Sequence, residues 1–282
     1  MRRSVDARGA SPQNPTFGSL LRHWRTARRL SQLALAGEAD ISGRHLCFLE
    51  TGRAHPSREM VGLLASVLDV SLSDRNAMLL AAGYAPAYGE RELEAPELEH
   101  VRRALAFILT QQEPYPALVV DGEWNTVMTN AAARRIFGFF QEGSGLRGDM
   151  ARNAMHMICH PDGIRRFIVN WEEFAGPLVQ MIHRDAAGGA DPAAGRLRDA
   201  LLAYPGMPSR WKVPDPHAPA PPVLTMRLAK GDFSFAFFST LTMLATPRDI
   251  TLERLKVECF YPADAATEEA VRRLAAAAAP AG

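Results

Sequence analysis

LSQLALAGEADISGRHLCFLETG, residues 30–52, reads as two short helices joined by a tight turn. Ser31 is an N-cap residue and Gln32 opens the first helix. Ala36 is small, as a position where two helices cross closely requires. Asp40 and Ile41 form the turn, and Asp tolerates left-handed backbone better than most residues. Ser42 caps a second helix that turns Leu46 and Leu49 inward and Gly43, Arg44, His45 and Phe48 outward. Gly52 follows as a left-handed C-cap. The pattern is that of a helix-turn-helix, a unit that sets its second helix in the DNA major groove.

Working outward, apolar spacing predicts a helix over Phe17–Arg28 carrying Leu20, Leu21 and Trp24, then the pair Leu33–Ala39 and Gly43–Glu50. A fourth helix is capped by Ser57, runs through Leu68 and places Met60, Leu63, Leu64 and Val67 on one face. A fifth runs from Ser73 to Ala82, and Gly83 stops it. Residues 17–83 thus form an all-α, five-helix domain. Residues 1–16 are polar and read as a disordered tail.

At 282 residues the chain has room for two domains. Residues 1–86 hold eleven Arg and seven acids, a charge of +4, and the rest carries −3. The cationic part is therefore the part with the helix-turn-helix. The three cysteines, Cys47, Cys159 and Cys259, are far apart and odd in number, which fits a reducing compartment. The N-terminus has no secretory apolar core and no run reaches membrane-spanning length, so a cytoplasmic protein without membrane insertion is expected.

Residues 84–96, with Pro86, Gly89 and the run GERELEAPE, read as a linker. A helix over Glu97–Thr110 carries Leu98, Val101, Leu105 and Ile108. The period then changes to two. Ala117–Val120 and Asn125–Thr129 flank an Asp121-Gly122 turn. Helical spacing returns over Ala131–Phe140, Asp149–Met157, Asp162–Phe174, Pro177–His183 and Arg196–Ala203, with a break or kink at Gly176-Pro177. Ala186–Ala194 reads as a small-residue loop and 205–222 as irregular. Val223–Leu228, Phe233–Leu244 and Leu255–Tyr261 are strands. The sum is an α+β domain over 97–262, an antiparallel sheet covered by helices, followed by an Ala-rich tail, 263–282, read as a frayed helix.

Residues 17–83 resemble the Cro and phage-repressor helix-turn-helix, the XRE family. The resemblance implies that Gln32 contacts a phosphate, that Arg44 and Phe48 face base edges, that Ser42 and His45 touch backbone or bases, and that Arg53 meets phosphate or the minor groove. Arg44 suits a bidentate contact to guanine. Gly43 departs from the family, because it has no side chain to read a base. Arg22, Arg25 and Arg29 on the first helix either add phosphate contacts or form a solvated face. Cys47 on the second helix reads as a small apolar filler.

FLETGRAHPSREM, PYPALVVDGEWNTVMTN, HPDGIRRFIVNWEEF and FSTLTMLATPRDITLERLKVECFYPAD, in that order, resemble the MmyB-like transcription regulators over nearly the whole chain. That resemblance implies a PAS-like ligand-binding domain, an apolar pocket for a fatty-acid-like or other lipophilic molecule, and a homodimer on double-stranded DNA. Trp124, Phe137, Phe167, Trp171, Phe235 and Phe237 are the pocket candidates as a set, while any single one taken alone reads first as plain core packing. Arg165, Arg166 or Asn170 are candidates to hold a ligand carboxylate. His156, Cys159 and His160 share a helix face at metal-ligand spacing, but no second ligand pair accompanies them, so no metal or other cofactor is expected. No phosphate loop or nucleophile motif is present, and an enzyme is not expected. The alternative to a sensor is a C-terminal domain that only dimerises or binds a partner protein.

Overall fold

The computed structural model describes residues 15–188, 192–215 and 222–278. The chain divides into two compact units, one up to Gly89 and one from Glu90 onward.

The first unit contains helices α1 (Phe17–Ala27), α2 (Gln32–Glu38), α3 (Gly43–Glu50), α4 (Arg58–Val67) and α5 (Leu72–Ala81). Every one starts on a hydroxyl. Thr16, Ser31, Ser42, Ser57 and Ser71 each accept a hydrogen bond from the backbone N–H three residues on, satisfying a donor that the first turn leaves orphaned. The cap of α5 is therefore Ser71, not Ser73; Ser71 Oγ also donates to Asp74 at 2.5 Å, closing the first turn from both sides. Asp40, at φ 51°, and Gly52, at φ 72°, take the left-handed conformations their positions require. The inward stripe of α4 is Val61, Leu64, Ala65 and Leu68, while Leu63 is exposed. The predicted face had the right spacing but started one residue early.

A further close crossing, of α1 on α3, is one the sequence reading did not single out. A Cβ on Gly18 would lie 2.5 Å from the Glu50 carbonyl oxygen and 2.8 Å from that of Leu49. Gly18→Ala should therefore lower the melting temperature of this unit, by a destabilisation of about 1–3 kcal/mol. Gly62→Ala, whose Cβ meets open space, is the control and should hold or slightly raise it. Equal melting of the two variants in circular dichroism would refute the close-approach account.

In the second unit five antiparallel strands, β1 (Ala117–Val120), β2 (Thr126–Thr129), β3 (Thr225–Lys230), β4 (Phe233–Met243) and β5 (Lys256–Pro262), form one sheet in the order β2-β1-β5-β4-β3. Sequence-distant β1 and β5 lie side by side at its centre, in keeping with the PAS-like arrangement expected. One face is covered by α6 (Glu99–Gln111), through Val101, Leu105 and Leu109 against Ala117, Val119, Val257 and Cys259. The other carries Leu118, Val120, Phe235, Phe237 and Phe260 against α7 (Ala131–Gln141), α8 (Asp149–Arg152), α9 (Ala154–Cys159), α10 (Trp171–Gly188) and α11 (Pro192–Leu202). The short α12 (Ile250–Arg254) precedes β5, and α13 (Ala265–Ala278) follows it. Buried Asn130 ties the layers together. It caps α7 through Ala133 N–H, accepts from Ala117 N–H, and donates to the carbonyls of Leu109 and Tyr115.

Several sequence expectations need correction. Leu109 rather than Ile108 completes the inward face of α6. The expected helix 149–157 is split at Asn153, whose side chain turns back to Glu123 and Asn125 of the β1–β2 connection. Residues 162–174 are not one helix: a 3-10 turn over Ile164–Phe167 and a bridge from Ile168 to Leu228 intervene. Pro177 does not break α10, because Ala175 and Val179 pack on Trp211 and outweigh one lost backbone hydrogen bond. The predicted 186–194 loop shrinks accordingly, and 189–191, like 1–14 and 216–221, lie outside the described residues. The linker reading of 84–96 gives way at both ends. Asn76 holds the Ala87 and Tyr88 N–H groups to the first unit, and Leu93 is buried in the second. The Ala-rich tail contains a packed helix, since Val271 joins the core and Thr267 bonds Ala236 N–H of β4.

Candidate functional site

In the first unit, α3 presents two faces with separate chemistry. Leu46, Leu49 and the Glu50 side chain are buried, whereas Arg44 is exposed and His45, Cys47 and Phe48 are half-buried. The Arg44 guanidinium lies 5.3 Å from the centre of the Phe48 ring, so the two form one outward cation–π pair. Ser42 Oγ is occupied in capping. Gly43 opens onto free space, and Arg53 is exposed just beyond the Gly52 turn.

Behind this face sits a polar cluster that links all three helices of the motif. Glu50, its side chain fully buried, accepts from Arg25 of α1 at 2.6 and 3.1 Å and from Gln32 Nε2 of α2 at 2.7 Å. Arg22 approaches to 3.6 Å. Burial pushes the Glu50 carboxyl up, but hydrogen bonds from Arg25 and Gln32 and the charges of Arg25 and Arg22 outweigh it and hold it below the usual range. One expected role changes: Arg25 is an internal tie rather than a surface cation. One N–H of the Gln32 amide is committed to Glu50, and its second N–H is left to donate elsewhere. Arg22 and Arg29 remain exposed.

In the second unit a cavity of about 290 Å³ lies between the sheet and the α7–α10 layer. Leu118, Trp124, Phe137, Met155, Phe174 and Phe260 are among its walls. Of the six aromatic candidates, Trp124 and Phe137 line it. Phe235 and Phe237 are core residues beneath it, Phe167 packs on Phe140 under Arg166, and Trp171 is sandwiched by Arg165 and Trp211. Two wider clefts of about 630 and 710 Å³ are lined by charged surface groups, so the apolar lining rather than size singles out the smaller one.

None of the expected carboxylate holders lines this cavity. Arg165 donates to the carbonyls of Cys159, Pro205 and Gly206, Arg166 to that of Glu142, and Asn170 bridges Thr225 and Arg227. The His-x2-Cys-His run does not converge either. Cys159 is buried, which pushes its thiol up to about 12, while His156 and His160 flank the Tyr204 ring. Among the described residues no group of three or more His, Cys, Asp or Glu is set to hold a metal ion, and no helix is long and apolar enough to cross a membrane.

The polar group that does face the cavity is one sequence reasoning missed. Glu258 of β5 sits between Leu118 of β1 and Leu241 of β4 and shares the cavity lining with Ser239. Alternation in Val257-Glu258-Cys259 turns Glu258 away from the Val257 face, as expected of a solvent-facing acid. The sheet, however, carries helices on both sides, so that direction leads to the margin of the helical layer, where Glu258 is half-buried and its neighbours Ser239 and Leu241 are exposed. Burial drives its carboxyl up to about 6, against a hydrogen bond from Ser239 and the charge of Lys256.

A helix-turn-helix with an exposed face in one unit and a largely apolar cavity in the other are the parts of a DNA-binding protein with a ligand-binding domain. Residues 16–78 match the model of a helix-turn-helix domain, and residues 101–274 match that of the MmyB-like transcription regulator ligand binding domain. The second match spans more than half of the chain, which therefore belongs to the MmyB-like family; it is a DNA-binding transcription regulator with a ligand-binding domain. No curated protein matches it. A solved structure of an RNA-binding light-oxygen-voltage receptor is 13% identical, covers 98% of this chain and 69% of its own, and has a TM-score of 0.26, too low to bear on function.

Proposed function

We propose that this regulator reads its operator with the outer face of α3, as a cytoplasmic homodimer on two half-sites, and that a small lipophilic ligand in the second unit biases the dimer between two geometries. The observation that carries the reading is the pairing of an outward Arg44–Phe48 face with a separately built, largely apolar cavity. Arg44 reads guanine, Phe48 packs on thymine methyl groups, and Ser42, His45 and Arg53 contact backbone or adjacent bases. Gly43 lets the helix start approach the groove without reading it. The ligand acts only to the extent that it binds one dimer geometry better than the other. A fatty-acid-like body suits the cavity walls. No enzymatic step is invoked.

The test is native mass spectrometry of the purified protein followed by binding-site selection from a random duplex library. A dimer mass, a discrete small-molecule adduct and a two-fold symmetric selected site support the reading. A clean apo dimer that still selects a site would favour a C-terminal domain that only dimerises or binds a partner. A monomer that selects a single half-site would overturn the dimer.

A further inference from the structure

We propose that the cavity of the second unit selects its ligand by Glu258, and takes a small lipophilic amine in preference to a fatty acid. The inference rests on the ligand-binding reading above and adds the chemistry of the ligand's polar end. Glu258 projects from the middle of the sheet into walls made of Leu118, Trp124, Phe137 and Phe260, and its one hydrogen bond among the described residues comes from Ser239 Oγ at 2.7 Å. Glu258 is half-buried and Ser239 is exposed, so the group stands where the cavity meets solvent. A half-buried carboxylate with a single donor keeps lone pairs free to accept a further one.

Among the described residues no cation forms an ion pair with it, and Lys256 acts on it only through its charge. Arg152 is the only Lys or Arg among the described lining residues; it is exposed and paired with Asp149 at 2.9 Å. Lys256, two residues along the strand, places its ammonium 4.6 Å from the centre of the Trp124 ring. An incoming ammonium bonded to Glu258 completes the pair, and the aromatic walls favour it further. An incoming carboxylate meets a like charge at the same place. At about 290 Å³ the cavity is at the small end for ligand sites, which favours a short chain.

The experiment is calorimetric titration of the full-length protein at pH 7.5 with octylamine, octanol and octanoate, which share one chain and differ in the head. Octylamine is expected to bind tightest and octanoate weakest. Glu258→Gln keeps the size and a partner for Ser239, and should weaken octylamine by about tenfold or more, the loss typical of a hydrogen bond to a charged group, with little change for octanol. Should that variant fail to fold, Glu258→Leu, which matches the apolar walls, carries the same expectation. Octanoate binding as tightly as octylamine, or octylamine affinity unchanged in both variants, overturns the head-group inference while leaving a ligand site in place. Binding of none of the three overturns the ligand-binding reading itself.

Discussion

Glu50→Ala should destabilise the helix-turn-helix unit by about 3 kcal/mol, the cost of leaving a buried ion pair half made. Three helices depend on this one carboxylate, since Arg25 belongs to α1, Gln32 to α2 and Glu50 itself to α3. Its removal strands the Arg25 guanidinium, only 14% exposed, with the Leu30 carbonyl as its remaining hydrogen-bond acceptor. Glu50→Gln keeps the volume and one acceptor and should cost less. Differential scanning calorimetry, in which the two units can melt separately, reads the effect as a shift confined to one transition. No shift would mean that the cluster is incidental to stability. The same group sets an acid limit. Its carboxyl titrates lower in the fold than its ordinary value of 4.5, so its contribution is complete above that pH and is lost as the pH falls through the lower, folded value. The melting temperature of this unit in the wild type should therefore fall more steeply below about pH 4.5 than that of Glu50→Gln.

Arg44→Ala should leave the fold intact and lower affinity for the selected operator by about tenfold to a hundredfold, the 1–3 kcal/mol of a bidentate base contact. Arg44 is exposed and, among the described residues, its ring contact is with Phe48, so little stability is at stake. Non-specific binding and the salt dependence should barely change. Arg53→Ala makes the contrast: as a phosphate contact it should weaken all sequences alike and reduce the magnitude of the salt slope by about one. Fluorescence anisotropy at several salt concentrations, on selected and scrambled duplexes, separates the two. An Arg44→Ala protein that keeps full preference for the selected site would remove α3 from the reading role.

Legibility in the sequence tracked the range of the interactions involved. The hydroxyl caps, the left-handed Asp40 and Gly52, and the Leu46–Leu49 stripe are local, decided within a few residues of chain, and these were readable. So were the five strands, to within two residues at their ends. The six aromatic candidates of the second unit, Trp124, Phe137, Phe167, Trp171, Phe235 and Phe237, were readable as apolar but not as pocket or core. That division depends on which aromatic rings meet one another, and Phe235 and Phe237 turned out to lie beneath the cavity.

By itself, the sequence determined the class of both units, the outward face of α3 and the exposure of Arg44, because a helix repeats every 3.6 residues and a cap acts within one turn. Only the tertiary structure decided that Glu50 would gather Arg25 and Gln32 from two other helices, that Gly18 would mark a close helix crossing, and that Glu258 would line a cavity. Each of these depends on segments far apart in the chain. For Glu258 the deciding fact is that both faces of the sheet carry helices, and alternation along one strand carries no information about what lies across from it.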